Sequence, residues 1–427
     1  MRKALFYSLV VLRICYVVNG QPYLEKQTQH RFAQTYFGLN SQVSPAQGSF
    51  IWNEQSHSFP TITTTQLTIG GLHFWGKLDF NFSIPIFRIL EDQLDEETDL
   101  FLSPGGDLNV RYYPWRLIYG KPRPYAGVSV NATRFGIENR EAGERYDSFL
   151  TSSFLAGIAF AKKGWQVNAE LAWRPNTQRE FYSGRNSSET LRLPRSYFSF
   201  GLVKYVDFTL GDEKDKESGR TEAVFQELSK RKKLNSLSIG IAPTSAFFLQ
   251  SPRYSDPDRA SLPDHKGEFA WEFGVGYLFQ KQGLHLGLSY RDYTSSVESY
   301  GLQHLLRRTS IALEGLIFLW DYNGFVPFVG PSISYERWSA GEFAHDQLVG
   351  DLQRTRVISP GFVFGWDIVP TSIDTWTLRT NLRYYPFQRV VNATGTKSRV
   401  DQFEFNFIEL VIYPSRMIHV AKVKKKF

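Results

Sequence analysis

The chain has 427 residues, of which 42% are hydrophobic, 16% aromatic and 21% charged, and its formal net charge is +7 at pH 7. Beyond residue 20 it contains no run of about 18 apolar residues, which excludes a bundle of membrane-spanning helices, and its single cysteine excludes a disulfide-stabilised scaffold. With a mean hydropathy of −0.31, this aromatic-rich composition leaves two folded classes, the soluble all-β proteins and the outer-membrane β-barrels.

Residues 1–20 are predicted to be a cleaved secretory signal peptide. Arg2 and Lys3 give the segment a positive start, and residues 4–12 form an apolar core that is too short to span a bilayer. A small residue precedes the predicted cleavage point. Because Arg13 interrupts the apolar stretch, a core strand and a short anchor helix remain alternative interpretations.

The only cysteine, Cys15, lies in this leader, without the small residues before it that a lipoprotein signal requires. The mature chain is therefore expected to contain no thiol and no disulfide. Loss of the leader also removes three basic residues, and the mild positive charge that remains gives no reason to expect nucleic acid as a partner.

Residues 21–65 are predicted to form an N-terminal periplasmic segment or a plug. Within this segment, residues 28–40, which include Phe32, Tyr36 and Leu39, also have the pattern of a strand. The segment is therefore also a candidate to contribute a strand to the fold.

Apolar and polar side chains alternate through most of residues 66–415, as they do in strands with two different faces. In 268–279, for example, Phe269, Trp271 and Phe273 alternate with smaller or polar residues. The alternating segments exceed the about 5–6 residues of a soluble strand and match the about 9–11 residues of a tilted membrane strand. A soluble barrel with so many strands would be too wide for its apolar side chains to fill. The apolar faces are therefore predicted to meet lipid, and a soluble β protein is the alternative.

The predicted fold class is all-β, a transmembrane antiparallel up-and-down β-barrel over residues 66–415 with about 14 strands. Short predicted turns alternate with longer predicted loops, which is typical of outer-membrane barrels. A further strand at 28–40 would give an odd number, so either 21–65 lies outside the barrel or a sixteenth strand has been missed. The candidate strands are 66–87, 100–114, 123–135, 148–162, 164–174, 195–209, 235–249, 267–280, 283–296, 305–320, 325–338, 355–369, 375–387 and 402–414.

Two charged segments depart from this pattern. Residues 210–234 form a long connection on the side where the other turns are short, and the sequence predicts either a solvated insertion or a docking site for an envelope protein. Residues 416–427 follow the last predicted strand and are predicted to form a basic C-terminal tail.

Charged and histidine side chains on the polar strand faces are predicted to line the lumen. They either pair with one another and fill the interior, or face an aqueous pore and set its ion selectivity. The eight histidines show no close metal-ligand spacing, and no metal, cofactor or catalytic residue is predicted. His285 and Ser289 share a strand face but lie about 13 Å apart, too far for a hydrolase pair. The chain is therefore not expected to be an enzyme. The lumen-lining candidates are His73, Lys77, Asp79, Arg111, Glu170, Glu268, Glu272, His285, Arg291, Glu314, Arg379 and Arg383.

Six short motifs, spread over most of the mature chain, resemble the outer-membrane β-barrel proteins of the Bacteroidetes type. The resemblance implies a location in the outer membrane, contact with outer-membrane lipid and assembly by the barrel-assembly machinery. The motifs are structural rather than catalytic, so they indicate the class of fold and not the function. They are Gln34–Asn40, Gly71–Gly76 with Asp79–Phe80, Arg111–Trp115, Gly324–Pro331, Phe364–Asp367 and Phe405–Phe407.

Three functional hypotheses follow. The first is a passive channel or transporter for small or hydrophobic solutes, in which residues 21–65 act as a gate. The second is a structural or assembly barrel that anchors an envelope partner, for which 210–234 is the candidate site. The third is a membrane-embedded lipid hydrolase.

Overall fold

The computed structural model describes most of the chain between residues 33 and 424. Within this part, no helix combines the length and the apolar character needed to cross a membrane. The predicted signal peptide, residues 1–20, lies outside the described residues. The described residues are 33–52, 55–59, 61–89, 91–93, 98–139, 143–182, 188–206, 216–249, 262–263, 265, 267–322, 324–344, 347–369, 375–391, 395 and 397–424.

The first half of the chain forms a closed antiparallel barrel of eight strands, with one short continuation. The strands, in the order in which they pair, are β1 (Gln34–Ser44), β4 (Ile62–His73), β5 (Leu78–Ile89) with its continuation β6 (Glu91–Gln93), β7 (Thr98–Tyr112), β8 (Pro122–Asn139), β9 (Gly143–Lys162), β10 (Trp165–Trp173) and β13 (Ser196–Val206). The ring closes because β13 pairs back to β1, with Leu39 opposite Leu202.

The second half forms another closed barrel of eight strands. These are β14 (Ser236–Phe248), β15 (Gly267–Phe279), β16 (Leu284–Ser299), β17 (Leu302–Phe318), β18 (Phe325–Ala344), β19 (Gln347–Ile368), β20 (Trp376–Val391) and β21 (Lys397–Ile412). Here β21 pairs back to β14, with Ile241 opposite Leu410. A short 3-10 helix, Gln280–Gln282, forms the turn between β15 and β16.

The two barrels stand side by side in the same orientation. At one end, which we call the turn end, Phe74 of the first barrel contacts Phe325 of the second, with ring centroids 5.1 Å apart. At the opposite end, the loop end, Arg145 of β9 pairs with Ser299 of β16. The strand β13 ends at the turn end and β14 begins there, so the connection between the barrels starts and finishes at the same end.

Two helices lie at the turn end. They are α1 (Lys216–Lys230) and α2 (Pro414–Lys424), and they pack through Val224, Leu228, Val420 and Val423. Arg416 is buried beside them and donates to the carbonyl oxygen of Leu234 and, at 3.0 Å, to Gln280 Oε1. The helices are thus fastened to the second barrel.

A small four-stranded sheet covers the loop end of the first barrel. Its strands are β2 (Ser49–Trp52), β3 (Gln55–Ser58), β11 (Gln178–Tyr182) and β12 (Ser188–Arg192). The side chains beneath it form an apolar cluster that includes Phe50, Phe59, Phe135, Phe181 and Leu191. This cluster closes that mouth of the barrel.

Both barrels have apolar exteriors and polar interiors, the reverse of a soluble protein. Phe273 and Ile358 are 53% and 66% exposed, as expected when lipid solvates the outer face. Trp165 and Trp173 mark the two ends of β10, about 26 Å apart along the strand, in the manner of the aromatic girdles of membrane barrels. The prediction of an all-β, transmembrane, antiparallel up-and-down fold is confirmed.

The number and grouping of the strands differ from the prediction of one barrel over residues 66–415. The predicted strand 66–87 is a hairpin of β4 and β5, and residues 34–40 of the strand predicted at 28–40 belong to the barrel strand β1. The alternative of sixteen barrel strands holds, but they close into two rings of eight. The sequence pattern records which residues are in strands, whereas ring closure depends on pairings between distant strands.

Several predicted connections are also more ordered than expected. The predicted loops 297–304, 339–354 and 388–401 lie largely in long strands, which continue beyond the part of the barrel whose outer face is apolar. The described part of the 416–427 tail belongs to α2, and 210–234 contains α1. Residues 21–32, 207–215 and 425–427 lie outside the described residues.

Candidate functional site: two filled lumens and the cleft between the barrels

An arginine that is bonded to two glutamates occupies the middle of the second lumen. Arg383 donates to Glu272 at 2.7 and 2.8 Å and to Glu314 at 2.5 and 3.2 Å. Asn406 donates to the same Glu272 at 3.0 Å. Arg383 is only 1% exposed. Because all four contacts to Arg383 are charge-assisted and buried, they hold strands β15, β17 and β20 together across the barrel.

A second cluster of charges lies next to it, toward the loop end. Glu404 receives one hydrogen bond from Arg291 and one from Arg308, and Arg308 also donates to Glu336 at 2.5 and 2.8 Å. Tyr385 accepts a hydrogen bond from Arg291 at 3.2 Å. These side chains are buried, so each charge is compensated by a partner rather than by water.

Toward the turn end, apolar side chains join the charged ones in the second lumen. Arg379 forms a two-point pair with Asp367, at 2.7 and 3.0 Å. Beyond it lies a buried cluster that includes Leu278, Phe328 and Val411. Buried polar side chains, among them His285 and Ser238, lie at the same end, so this part of the lumen is a packed mixture of apolar and polar groups.

The first lumen has the same layered organisation. Arg111 donates to Glu170 at 2.7 Å and lies 3.5 Å from Asp79, which accepts a hydrogen bond of 2.5 Å from Tyr36. A cluster of buried tyrosines and apolar residues fills the turn end, and the cluster beneath the four-stranded sheet fills the loop end.

Uncharged amides surround the other buried carboxylate of the first lumen. Asp107 accepts hydrogen bonds from Gln66 at 2.7 Å, from Asn131 at 2.8 Å and from Gln42. An eight-stranded barrel has an interior just wide enough for side chains. Both lumens are therefore packed with side chains rather than open.

Most of the lumen candidates from the sequence lie inside one barrel or the other. Two of them do not follow the prediction, and a third is not tested. His73 faces outward, because the turn that follows it changes the strand phase, and Lys77 belongs to that turn. The side chain of Glu268 lies outside the described part. The candidates inside the lumens are Asp79, Arg111, Glu170, Glu272, His285, Arg291, Glu314, Arg379 and Arg383.

His285 and Ser289 are not brought together. His285 contacts Ser238 Oγ at 2.8 Å, whereas Ser289 donates to Glu314 at 3.5 Å. Within the described residues, no group of three or more histidine, cysteine, aspartate or glutamate residues is arranged to hold a metal ion.

The sequence did not indicate a histidine pair at the loop end of the second barrel. His265 lies on the connection before β15 and contacts Ser295 Oγ at 2.6 Å and His304 Nδ1 at 2.7 Å. All three side chains are buried, and Glu342 lies opposite His304 on β18. The pair holds His265 at the barrel mouth. Because the three residues come from separate segments, no local spacing could have revealed it.

Burial, and then the neighbouring His304, lower the pKa of His265 from 6.5 to about 3. The folded state therefore holds a neutral imidazole, and an opened connection binds a proton below pH 6.5. The stabilisation from this contact is complete above pH 6.5 and is lost as the pH falls toward 3. We expect the connection before β15 to become sensitive to protease at pH 4 but not at pH 8. The variant His265→Gln, which cannot titrate, should remove the difference; an equal pH dependence in that variant would contradict the assignment.

Between the barrels lies an apolar cleft of about 160 Å³. Phe80, Leu108 and Val110 form one wall, and Trp366, Phe405 and Phe407 form the other. The walls meet where Phe80 packs on Trp366 (ring centroids 5.6 Å apart) and Phe82 on Phe407 (6.3 Å).

Comparison with known proteins finds outer-membrane barrels among solved structures. Neisserial surface protein A is 17% identical, covering 42% of this chain and 97% of its own, with a TM-score of 0.29. Ail, the attachment invasion locus protein of Yersinia pestis, is 13% identical, covering 42% and 96%, with a TM-score of 0.27. An outer membrane channel from Pseudomonas putida F1 is 7% identical, covering 92% and 98%, with a TM-score of 0.20. At these TM-scores the fold assignment rests on the strand pairing of the chain itself.

No protein-family model matches the chain, and no curated protein matches it. The Bacteroidetes-type family therefore stays a prediction from the sequence motifs.

Proposed function

We propose that the chain is an integral outer-membrane scaffold whose two barrels conduct no solute and present the α1–α2 pair to an envelope partner. The observation that carries this proposal is the packing of both lumens. Buried ion pairs fill the middle of each barrel, and apolar clusters pack both ends of the first barrel and the turn end of the second. Opening either lumen would break buried charge pairs, which typically costs about 3–5 kcal/mol for each lost partner.

The outer-membrane location is supported by the apolar exterior of both barrels and by the predicted leader. Closed barrels satisfy every strand edge, as a lipid environment requires. Export through a cleaved signal and insertion by the barrel-assembly machinery complete the proposal.

The partner surface that we propose is the solvent side of the helical pair. Val224 and Leu228 of α1 are occupied by packing on α2. The end of α1 and the residues after it carry exposed Lys230 and Lys233. A basic surface beside the membrane suits a partner with an acidic face, because opposite charges steer association.

The passive channel predicted from the sequence is the competing function, and conductance separates the two. In planar bilayers, the purified chain is expected to give no stepwise conductance under conditions in which a general porin does. In the same preparation, Lys230→Glu with Lys233→Glu should weaken capture of the envelope partner, whereas Lys281→Glu, an exposed lysine in another turn at the same end, should not.

Regular conductance steps from the wild-type chain would overturn the scaffold proposal in favour of the channel. Capture that is unchanged by the Lys230 and Lys233 substitutions would exclude the helical pair as the partner surface.

A further inference from the structure

The cleft between the barrels has the depth and the chemistry of a site for a lipid chain. Its six principal wall residues are aliphatic or aromatic. Along β5, the level of Leu78, opposite His73, and the level of Phe82, opposite Leu108, are about 13 Å apart. The cleft therefore extends from the turn end into the part of the barrels whose outer face is apolar.

The backbone shapes both walls of this cleft. On one side, Gly71 leaves the wall open, and a Cβ added there would lie 3.3 Å from His73 Nε2. On the other side, β21 carries one extra residue relative to both of its neighbours, between Asn406 and Glu409. This bulge turns the neighbouring Phe407 and Ile408 toward the cleft, as bulges re-aim side chains.

An unpaired polar atom lies at the turn-end mouth of the cleft. His73 Nδ1 is buried and has no hydrogen-bond partner among the described residues, while its ring packs edge-on against Phe80 at 5.4 Å. A buried polar nitrogen without a partner is costly. A rotation of the His73 ring would present this nitrogen to a ligand that has a polar group at this level and an apolar chain filling the cleft below it.

We propose that the cleft binds one glycerophospholipid, with an acyl chain between the barrels and its ester or headgroup region at His73. Water does not suit apolar walls at this depth. The convex exterior of a second barrel cannot enter a cleft of about 160 Å³ between two barrels. The proposal does not depend on the scaffold function, since a conducting chain could hold the same lipid.

Native mass spectrometry tests this site. The protein is reconstituted with vesicles of phosphatidylethanolamine and phosphatidylglycerol, extracted in a mild detergent and examined for retained phospholipid. One phospholipid per wild-type chain is expected. Gly71→Leu should lower the retention at least about tenfold, because losing apolar contact with about two methylene groups already has an effect of this size.

Two further variants make the test specific. Gly315→Leu is the matched control: it adds the same side chain on β17, away from the cleft, where a Cβ meets only Leu286 at 3.7 Å, and it should retain the lipid. Val110→Phe fills the cleft from β7, and it replaces Gly71→Leu if that variant fails to fold. His73→Phe keeps a ring but removes the nitrogen, and it should retain less lipid than the wild type.

Absence of retained phospholipid on the wild-type chain would overturn the proposal. Equal retention in the wild-type chain and in a folded cleft-filling variant would also overturn it, and equal retention in His73→Phe would remove the polar contact from it. None of these outcomes bears on conductance, so failure of this site is distinguishable from failure of the scaffold function.

Discussion

Replacement of Arg383 by methionine is expected to destabilise the second barrel by about 3–5 kcal/mol, the usual effect of removing one partner from a buried ion pair. The substitution leaves Glu272 and Glu314 facing each other without the guanidinium that bonds to both. Neither carboxylate can reach bulk water, because both are buried in the lumen. Urea unfolding in detergent micelles, followed by tryptophan fluorescence, measures the change.

Two companion variants separate this effect from the general consequences of losing an arginine. Arg307 pairs with Asp292 at 2.6 Å on the outer surface, where it is largely exposed, so Arg307→Met should cost at most about 1 kcal/mol. Adding Glu272→Gln and Glu314→Gln to Arg383→Met removes the stranded charges and should restore much of the lost stability. If Arg383→Met is no more destabilising than Arg307→Met, water reaches Glu272 and Glu314 in the lumen. That result would weaken the case against a pore.

The alternation of side chains is enough to predict the class of fold, because the sequence of each strand shows which of its faces is apolar and meets lipid. Phe269, Trp271 and Phe273 face outward on β15 for the reason that the sequence suggested. No local sequence pattern shows how the strands close into rings. It depends on β1 meeting β13 and β14 meeting β21, pairings between residues more than 150 positions apart.

One turn shows how the sequence pattern can mislead. Phe74 continues the apolar face of β4 and Trp75 falls on the opposite, polar face, so the alternation predicts one strand over 66–87. In the structure, Phe74, Trp75 and Gly76 have φ angles of 54°, 57° and 83° and form a tight turn. Bulky residues rarely adopt such angles. In this turn the rings of Phe74 and Trp75 contact Tyr322 of the other barrel. No local sequence rule could have anticipated those contacts.

For the lumen-lining residues, the sequence predicts the direction of the side chains but not their partners. Residues on polar faces, such as Arg111, Arg291 and Arg383, lie inside the barrels, because the strand period determines their direction. Their partners could not be assigned, since each ion pair joins different strands. His73 was misassigned only because it lies next to the unrecognised turn. The long charged connection at 210–234, which broke the alternation of short and long connections, belongs to the linker between the two barrels.

The central claim is that sixteen strands close into two barrels rather than one, and engineered disulfides test it directly. Leu39 and Leu202 lie opposite each other where β1 meets β13. Opposed residues in antiparallel strands have Cα atoms about 4.5–5.5 Å apart, within the range that a disulfide spans. In a Cys15→Ala background, which contains no other thiol, Leu39→Cys with Leu202→Cys should oxidise to a disulfide in the folded chain.

In a single sixteen-stranded barrel, β13 would instead pair with β14, and β1 would pair with β21. The pair Leu202→Cys with Ile239→Cys reports on that arrangement, because Ile239 lies on the outer face of β14. Two barrels predict rapid cross-linking of positions 39 and 202 and none between 202 and 239. The reverse pattern, a bond between 202 and 239 with free thiols at 39 and 202, would contradict the account.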